Sequence, residues 1–208
     1  LFAHFIDDKD FINALINGDK KHGTDPHSIN KRIIGDVCPD RDRAKTFIFT
    51  FLNGGTAPKV SQIFNCSRRD AESLLQRFVE AYPGLKTLRN SQFPGDAKRG
   101  YFIGLDGRIV FNTDERLMMA GYLQNGEATV MKHANIKWKH ELKKLQIPFK
   151  QVNFVHDEFQ TEVYGDEAMA REVARIQAKA ITDVGIELGL RCPLAGETKI
   201  GKNWLETH

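Results

Sequence analysis

Apolar positions recur with a helical period along most of this chain, and with a strand period in only two places. Between Asp40 and Gly55, residues Ala44, Phe47, Ile48 and Phe51 cover one side of a helix. Pro39 and Asp40 supply its start signals, and Gly54-Gly55 its stop. Arg41, Lys45 and Phe49 recur every four residues on the other side. Asp8 to Ile16 predicts a short helix with Phe11, Leu15 and Ile16 inward, closed by Asn17-Gly18. Asp25 is the N-cap of a further helix that Pro26 opens, which puts His27 in its first turn. Ser67 and Asp70 form a capping-box pattern ahead of Ala71, Leu74, Leu75, Phe78, Val79 and Tyr82, and Pro83-Gly84 ends that helix. Leu123, Val130, Ala134, Trp138, Leu142 and Leu145 line a long helical pattern from Arg116 to Leu145. Met169, Val173, Ile176, Ala180 and Val184 line a last one, capped by Asp166.

The first strand pattern is Tyr101 to Leu105 and Arg108 to Phe111 around Asp106-Gly107, a hairpin signal. The second is Gln151 to His156 and Phe159 to Val163, with Asp157 and Glu158 expected together at the tip. Residues 57–66 are expected as a loop with a short apolar piece, 89–100 as a polar connection between lobes, and 191–198 as a final strand. The chain begins inside an apolar segment, Leu1 to Phe5, without a capping signal, so a fragment or split gene product is expected.

Composition adds boundaries. With 208 residues, 41% hydrophobic and 27% charged, the chain suits one large soluble domain or two lobes. No apolar run approaches a membrane span and no signal peptide is evident, so no membrane partner is expected. Cys38, Cys66 and Cys192 are far apart and form no metal-binding pair, which makes reduced thiols in the cytoplasm the expectation. The net charge of +3 permits nucleic-acid binding, but any basic groove must be local.

Two stretches carry chemistry. Arg41 and Lys45 place two cations near a helix N-terminus, with the Phe49 ring one turn on. That face suits a nucleoside triphosphate; by itself the spacing fits a solvated face equally well. Asp157 and Glu158 are adjacent acids where a hard divalent cation could collect them, or a plain turn.

Arg41-x3-Lys45-x3-Phe49 followed by Gly54 resembles the fingers helix of family A DNA polymerases, and Val155-His156-Asp157-Glu158 resembles their palm motif. Asp25-x-His27-Ser28-x-Asn30 looks like the fingers segment ahead of the nucleotide helix in the phage replicative branch. Gly104-Leu-Asp-Gly-Arg108 and Gln124-x3-Ala128-x3-Lys132 are similar to its primer-template segments, and Gly201-x-Asn203-Trp204-x3-His208 to its C-terminus. The blocks occur in family order over nearly the whole chain.

The resemblance implies an α+β fold: a mostly helical fingers lobe over 1–92, whose residues 1–7 are the tail of a preceding palm segment, and a palm lobe over 93–208 with a small antiparallel sheet backed by helices. It implies DNA-directed DNA polymerase activity, adding dNTPs to a primer 3′ end on primer-template DNA. Lys45 would contact the α-phosphate side of the nucleotide, Arg41 and His27 the outer phosphates, and Phe49 the sugar and base. Asp157 would ligate the catalytic metals with Glu158 as neighbouring acid, and His156 would sit near the primer end. Arg108, Arg116 and Gln124 would touch the duplex. Two Mg²⁺ ions roughly 3.5–4 Å apart serve such a transfer and need a second carboxylate. The family's first catalytic aspartate lies just upstream of the segment that Leu1 to Phe5 resembles, so an N-terminal partner carrying it, a thumb and, as an option, an exonuclease is expected. Thr50 and Asn53 stand where the family usually has Gly and Tyr, which bears on the fingers' motion and on gating of the templating base. Phe49, where relatives carry Phe or Tyr, predicts discrimination against dideoxynucleotides. Two other readings compete: a non-catalytic nucleic-acid-binding remnant, and a metal-dependent nuclease that would leave Arg41, Lys45 and His27 unexplained.

Overall fold

The computed structural model describes residues 1–207. His208, the last residue of the C-terminal motif, lies outside the described residues. The residues group into two compact units, 1–123 and 124–208.

The first unit is built from helices. They are α1 (Phe2–Ile6), α2 (Lys9–Asn17), α3 (Pro26–Ile34), α4 (Arg41–Leu52), α5 (Ala57–Phe64), α6 (Arg68–Ala81), α7 (Pro83–Thr87) and α8 (Phe93–Arg99). A π-helical turn, Leu88–Gln92, joins α7 to α8. The hairpin of β1 (Tyr101–Ile103) and β2 (Ile109–Phe111) follows, antiparallel with Phe102 opposite Val110. A 3₁₀ turn, Glu115–Leu117, leads into the long helix α9 (Met118–Lys144), which runs on into the second unit. There follow β3 (Phe149–Val155), β4 (Glu158–Val163), α10 (Glu167–Glu187) and α11 (Trp204–Thr207). The fold is α+β as expected, mostly helical with two separate two-stranded antiparallel sheets among the described residues.

Capping explains most of the helix starts. Asp8, Asp25, Asp40, Ser67 and Asp166 each accept a backbone N–H from the first turn of the helix they precede. The Ser67 hydroxyl also donates to the Asp70 carboxylate at 2.6 Å, closing the expected box.

The core of the first unit is an aromatic cluster centred on Phe78, which is fully buried. Its ring meets Phe47 edge-on at 5.2 Å, Phe51 at 5.0 Å and Tyr82 at 5.4 Å. The same α6 face therefore backs α4 and, through the Tyr82 hydroxyl donating to Asn30 Oδ1 at 2.6 Å, holds α3. Leu75 and Val79 lie half-buried beside this stripe, and Leu15 and Ile16 of α2 face outward while Phe11 and Ala14 face in. In the second unit Trp138 is the fully buried centre, with Phe149 and Phe159 of the β3–β4 hairpin at 5.3 and 5.7 Å.

Five expectations are corrected. Residues 57–64 form α5: Pro58 occupies the first turn, where a missing N–H costs nothing, and Asn65 in the left-handed region ends the helix. Residues 89–99 are helical as well, because Pro94 again sits in a first turn and buried Phe93 and Asp96 anchor α8. Residues 191–198 are not a strand. Pro193 has no N–H to offer a ladder, and the segment instead runs along α10, where Thr182 donates to the Leu194 carbonyl at 2.9 Å. The β3–β4 tip consists of His156 and Asp157, since Glu158 already pairs with Val155 as the first residue of β4. Leu145 is exposed at the end of α9 rather than part of its inner stripe.

Replacing Phe78 by Ala should cost the chain about 3–5 kcal/mol of stability. Urea unfolding of the variant followed by circular dichroism checks this, and a loss under ~1 kcal/mol would remove Phe78 from the centre of the cluster.

Candidate active site

Helix α4 stands on the Phe78 cluster through Phe47 and Phe51, so its other face is fixed in orientation. Arg41 opens that face in the first turn. Its Nε donates to Asp25 Oδ1 at 3.0 Å, and a second guanidinium nitrogen lies 2.9 Å from the same oxygen. Asp25 is only 6% exposed. It also accepts the His27 N–H at 3.1 Å and the Ser28 hydroxyl at 2.5 Å. Burial alone would raise this carboxyl, but the hydrogen bonds of Arg41 and Ser28 and the Arg41 charge outweigh it and hold it down at about 2.

His27 sits in the first turn of α3, against the same guanidinium. Burial and the positive charges of Arg41 and Lys45 lower its pKa and favour the neutral ring. Its Nδ1 is buried without a hydrogen-bond partner among the described residues, as is Asn30 Nδ2 one turn further on. Lys45 is exposed one turn after Arg41, with its ammonium 5.9 Å from the centre of the Phe49 ring. The Phe49 ring is 54% exposed, which a core phenylalanine would not be. The structure brings His27, Arg41, Lys45 and Phe49 into one group: the spacing predicts the shared face of Arg41, Lys45 and Phe49, and His27 joins it from α3. Asp25 as the partner of Arg41 is what the sequence reading missed; there it stands as a cap and as the first residue of the segment ahead of α4.

Beyond Asn53, Gly54 takes a φ of 76°. A Cβ there would come within 2.8 Å of the Arg116 carbonyl oxygen, so only glycine allows the end of α4 to approach the 3₁₀ turn this closely. Arg116 is exposed and bonded to Asp114, with Nε 3.2 Å from Oδ1 and a terminal nitrogen 2.9 Å from Oδ2. Arg108 leaves the β1–β2 turn and pairs with Asp106 at 2.5 Å. Both arginines are surface cations in local ion pairs that solvent screens. Gln124 is exposed on α9, in the second unit.

The β3–β4 hairpin closes in two residues. His156 takes a φ of 48°, a left-handed value that non-glycine residues adopt at a cost. Asp157 occupies the other turn position and is exposed, while Glu158 begins β4 and its Oε1 accepts from Gln160 Nε2 at 2.6 Å. The two carboxylates thus differ in setting: one at the apex, one on the strand. Asp157 is a hard oxygen donor suited to Mg²⁺. Among the described residues no group of three or more His, Cys, Asp or Glu is gathered closely enough to hold an ion. The donors here fit one side of a metal site, with further ligands required from elsewhere.

The family model for DNA polymerase family A matches residues 1–206. The chain belongs to DNA polymerase family A. Relatives within the family include the DNA-directed DNA polymerases of Enterobacteria phage T3, 29% identical, and Escherichia phage T7, 30% identical. Each match covers 99% of this chain and 31% of the phage protein, so the chain spans about a third of those relatives' length. A solved structure of the POL domain of Pol1 from M. smegmatis, in complex with DNA primer-template and dNTP, superposes with a TM-score of 0.71. That alignment is 20% identical and covers 88% of this chain and 34% of the other, so it establishes a shared fold. No helix among the described residues is long and apolar enough to cross a membrane, and Cys38, Cys66 and Cys192 are all free.

Asp25 makes a pH prediction. A carboxyl held at about 2 in the folded chain against an ordinary 3.8 contributes stability that is complete above pH ~4 and is lost as the pH falls through about 2. Asp25→Asn should cost about 2 kcal/mol at neutral pH and flatten that acid limb. Urea midpoints of both proteins between pH 7 and pH 2 check it.

Proposed function

We propose that this protein takes part in template-directed DNA synthesis, adding dNTPs to a primer 3′ end. The observation that carries the reading is the group on α3 and α4: a guanidinium locked by a buried carboxylate, a histidine with an unpartnered buried nitrogen, a lysine and an exposed ring. Three nitrogen-bearing side chains beside a flat apolar surface match a triphosphate with a sugar and base attached. Lys45 takes the α-phosphate side, Arg41 and His27 the outer phosphates, and Phe49 the sugar and base. A neutral His27 donates to phosphate oxygen without adding charge that Arg41 would repel.

In the second unit, Asp157 holds Mg²⁺ from the turn, Glu158 supports it as the neighbouring acid, and His156 lies near the primer end. Bound Mg²⁺ supplies charge neutralisation on the phosphoryl oxygens and on the leaving pyrophosphate. A two-ion site needs another carboxylate, and we assign that group to polypeptide beyond these residues: an N-terminal partner segment that also carries the thumb. Arg108, Arg116 and Gln124 contact primer-template duplex. On this reading residues 1–92 act as fingers and 93–208 as palm, in the cytoplasm.

Titration of the chain with a fluorescent dNTP and Mg²⁺ tests the nucleotide half. Lys45→Ala should weaken binding about 10- to 100-fold, the worth of one charge-assisted hydrogen bond. Primer extension should require addition of the segment bearing the second carboxylate, and Asp157→Ala should abolish it. Robust Mg²⁺-dependent extension by the 208 residues alone would refute the need for that segment. DNA binding without any dNTP binding would leave the non-catalytic nucleic-acid-binding reading in its place.

A further inference from the structure

Between Met131 and Lys144, helix α9 carries five lysines and two histidines against the single acid Glu141. That local excess is larger than the +3 of the whole chain. At 3.6 residues per turn, Lys132, Lys139 and Lys143 fall within about 40° of one another, along roughly 16 Å of axis. Val130, Ala134, Trp138 and Leu142 occupy the buried side of the same turns. Lys132 and Lys143 are exposed, and Lys139 is half-buried with its ammonium 5.6 Å from the centre of the Trp138 ring. His140 is exposed beside them.

The neighbouring helix shows what a solvated charged face looks like in this protein. On α10, Arg171 pairs with Glu167, Arg175 with Glu172 at 2.6 Å, and Lys179 with Asp183 at 2.6 Å. Even on α9, Lys137 pairs with Glu187. Among the described residues Lys132, Lys139 and Lys143 have no acidic partner within 4 Å, although the chain carries almost as many acids as bases. Three aligned, unneutralised cations repel one another and gain only when a polyanion is set against them.

We infer that the outer face of α9 at Lys139 and Lys143 continues beyond Lys132, the end of the primer-template motif, and grips the phosphate backbone of duplex DNA as a sequence-independent contact additional to Gln124, Arg108 and Arg116. Duplex DNA presents a phosphate every 3.4 Å of axis on each strand, so a 16 Å row of ammonium groups finds partners in any register. Ammonium point charges on flexible stems suit such a contact better than bidentate recognition does. The inference rests on the DNA-synthesis reading for its partner.

Fluorescence anisotropy with a short labelled duplex, over a range of salt, tests it on the 208-residue chain. Lys139→Gln/Lys143→Gln should weaken binding uniformly across sequences and reduce the slope of log affinity against log salt by about 2. Lys139→Arg/Lys143→Arg should restore both. Arg171→Gln/Arg175→Gln removes the same charge from the paired α10 face and should leave the slope nearly unchanged. An equal fall in both glutamine variants would make the effect one of net charge and overturn the inference. So would an unchanged slope in the α9 variant, or loss of its binding to phosphatidylserine vesicles with duplex binding intact, which would assign the face to a membrane surface. Fluorescent dNTP binding, read on the same samples, should be unaltered throughout. If it is absent from the parent chain, the DNA-synthesis reading has failed rather than the α9 contact alone.

Discussion

One buried carboxylate does two jobs on which the arrangement of α3 and α4 depends. Asp25 ends the loop before α3 by capping it, and in the same position it fixes the first side chain of α4. The second job does not tolerate protonation. A neutral acid would still accept from a backbone N–H, but it would leave the guanidinium of Arg41 beside a partner with no charge. The ion pair also settles the neighbours. Burial and the positive charge of Arg41 and Lys45 lower the pKa of His27 and favour its neutral ring, and Lys45 is the exposed cation of the group. A salt bridge this sheltered contributes less to net stability than to geometry, because desolvating both charges offsets much of their attraction.

The aromatic cluster behind α4 makes that geometry rigid. Phe47 and Phe51 reach Phe78 from one side, and Tyr82 reaches Asn30 from the other, so α3 and α4 are both indexed to α6. The face carrying Arg41, Lys45 and Phe49 is thus defined twice, by packing beneath and by the Asp25 bridge across its first turn. The hairpin bearing Asp157 is framed differently. It rests on Trp138 through Phe149 and Phe159, and its apex is a two-residue turn whose conformation His156 accepts at a cost in backbone energy. The tight turn fixes the Asp157 backbone at the apex, with its side chain exposed.

Much of this was legible in the sequence because it is local. The 3.6-residue period separates Ala44, Phe47, Ile48 and Phe51 from Arg41, Lys45 and Phe49, and four of the aspartate and serine caps announce their helices. The bridge between Asp25 and Arg41 spans sixteen residues, and no local pattern encodes it. Pro58 and Pro94 read as breaks, although in a first turn proline is a helix opener, so α5 and α8 were hidden by the residues that start them. The β3–β4 tip was misplaced by one position, because without a glycine or asparagine nothing in the sequence marks which residue turns. Residues 191–198 read as a strand, but a strand needs a ladder, and Pro193 has no N–H to give one.

The π-helical turn at Leu88–Gln92 has a consequence for how this chain could have diverged from its relatives. Such a turn is an α-helix that holds one residue more than its pitch allows. Deleting a residue there would restore the ordinary spiral and rotate everything after it by about 100°. Gln92 would lose its hydrogen bond to the Tyr122 hydroxyl, and Asp96 would swing away from the same hydroxyl, which it now accepts at 2.6 Å from a buried position. The extra residue is therefore locked in by partners on another element. A lineage could shed it only together with Asp96 and Tyr122, so these positions should be inherited as a set.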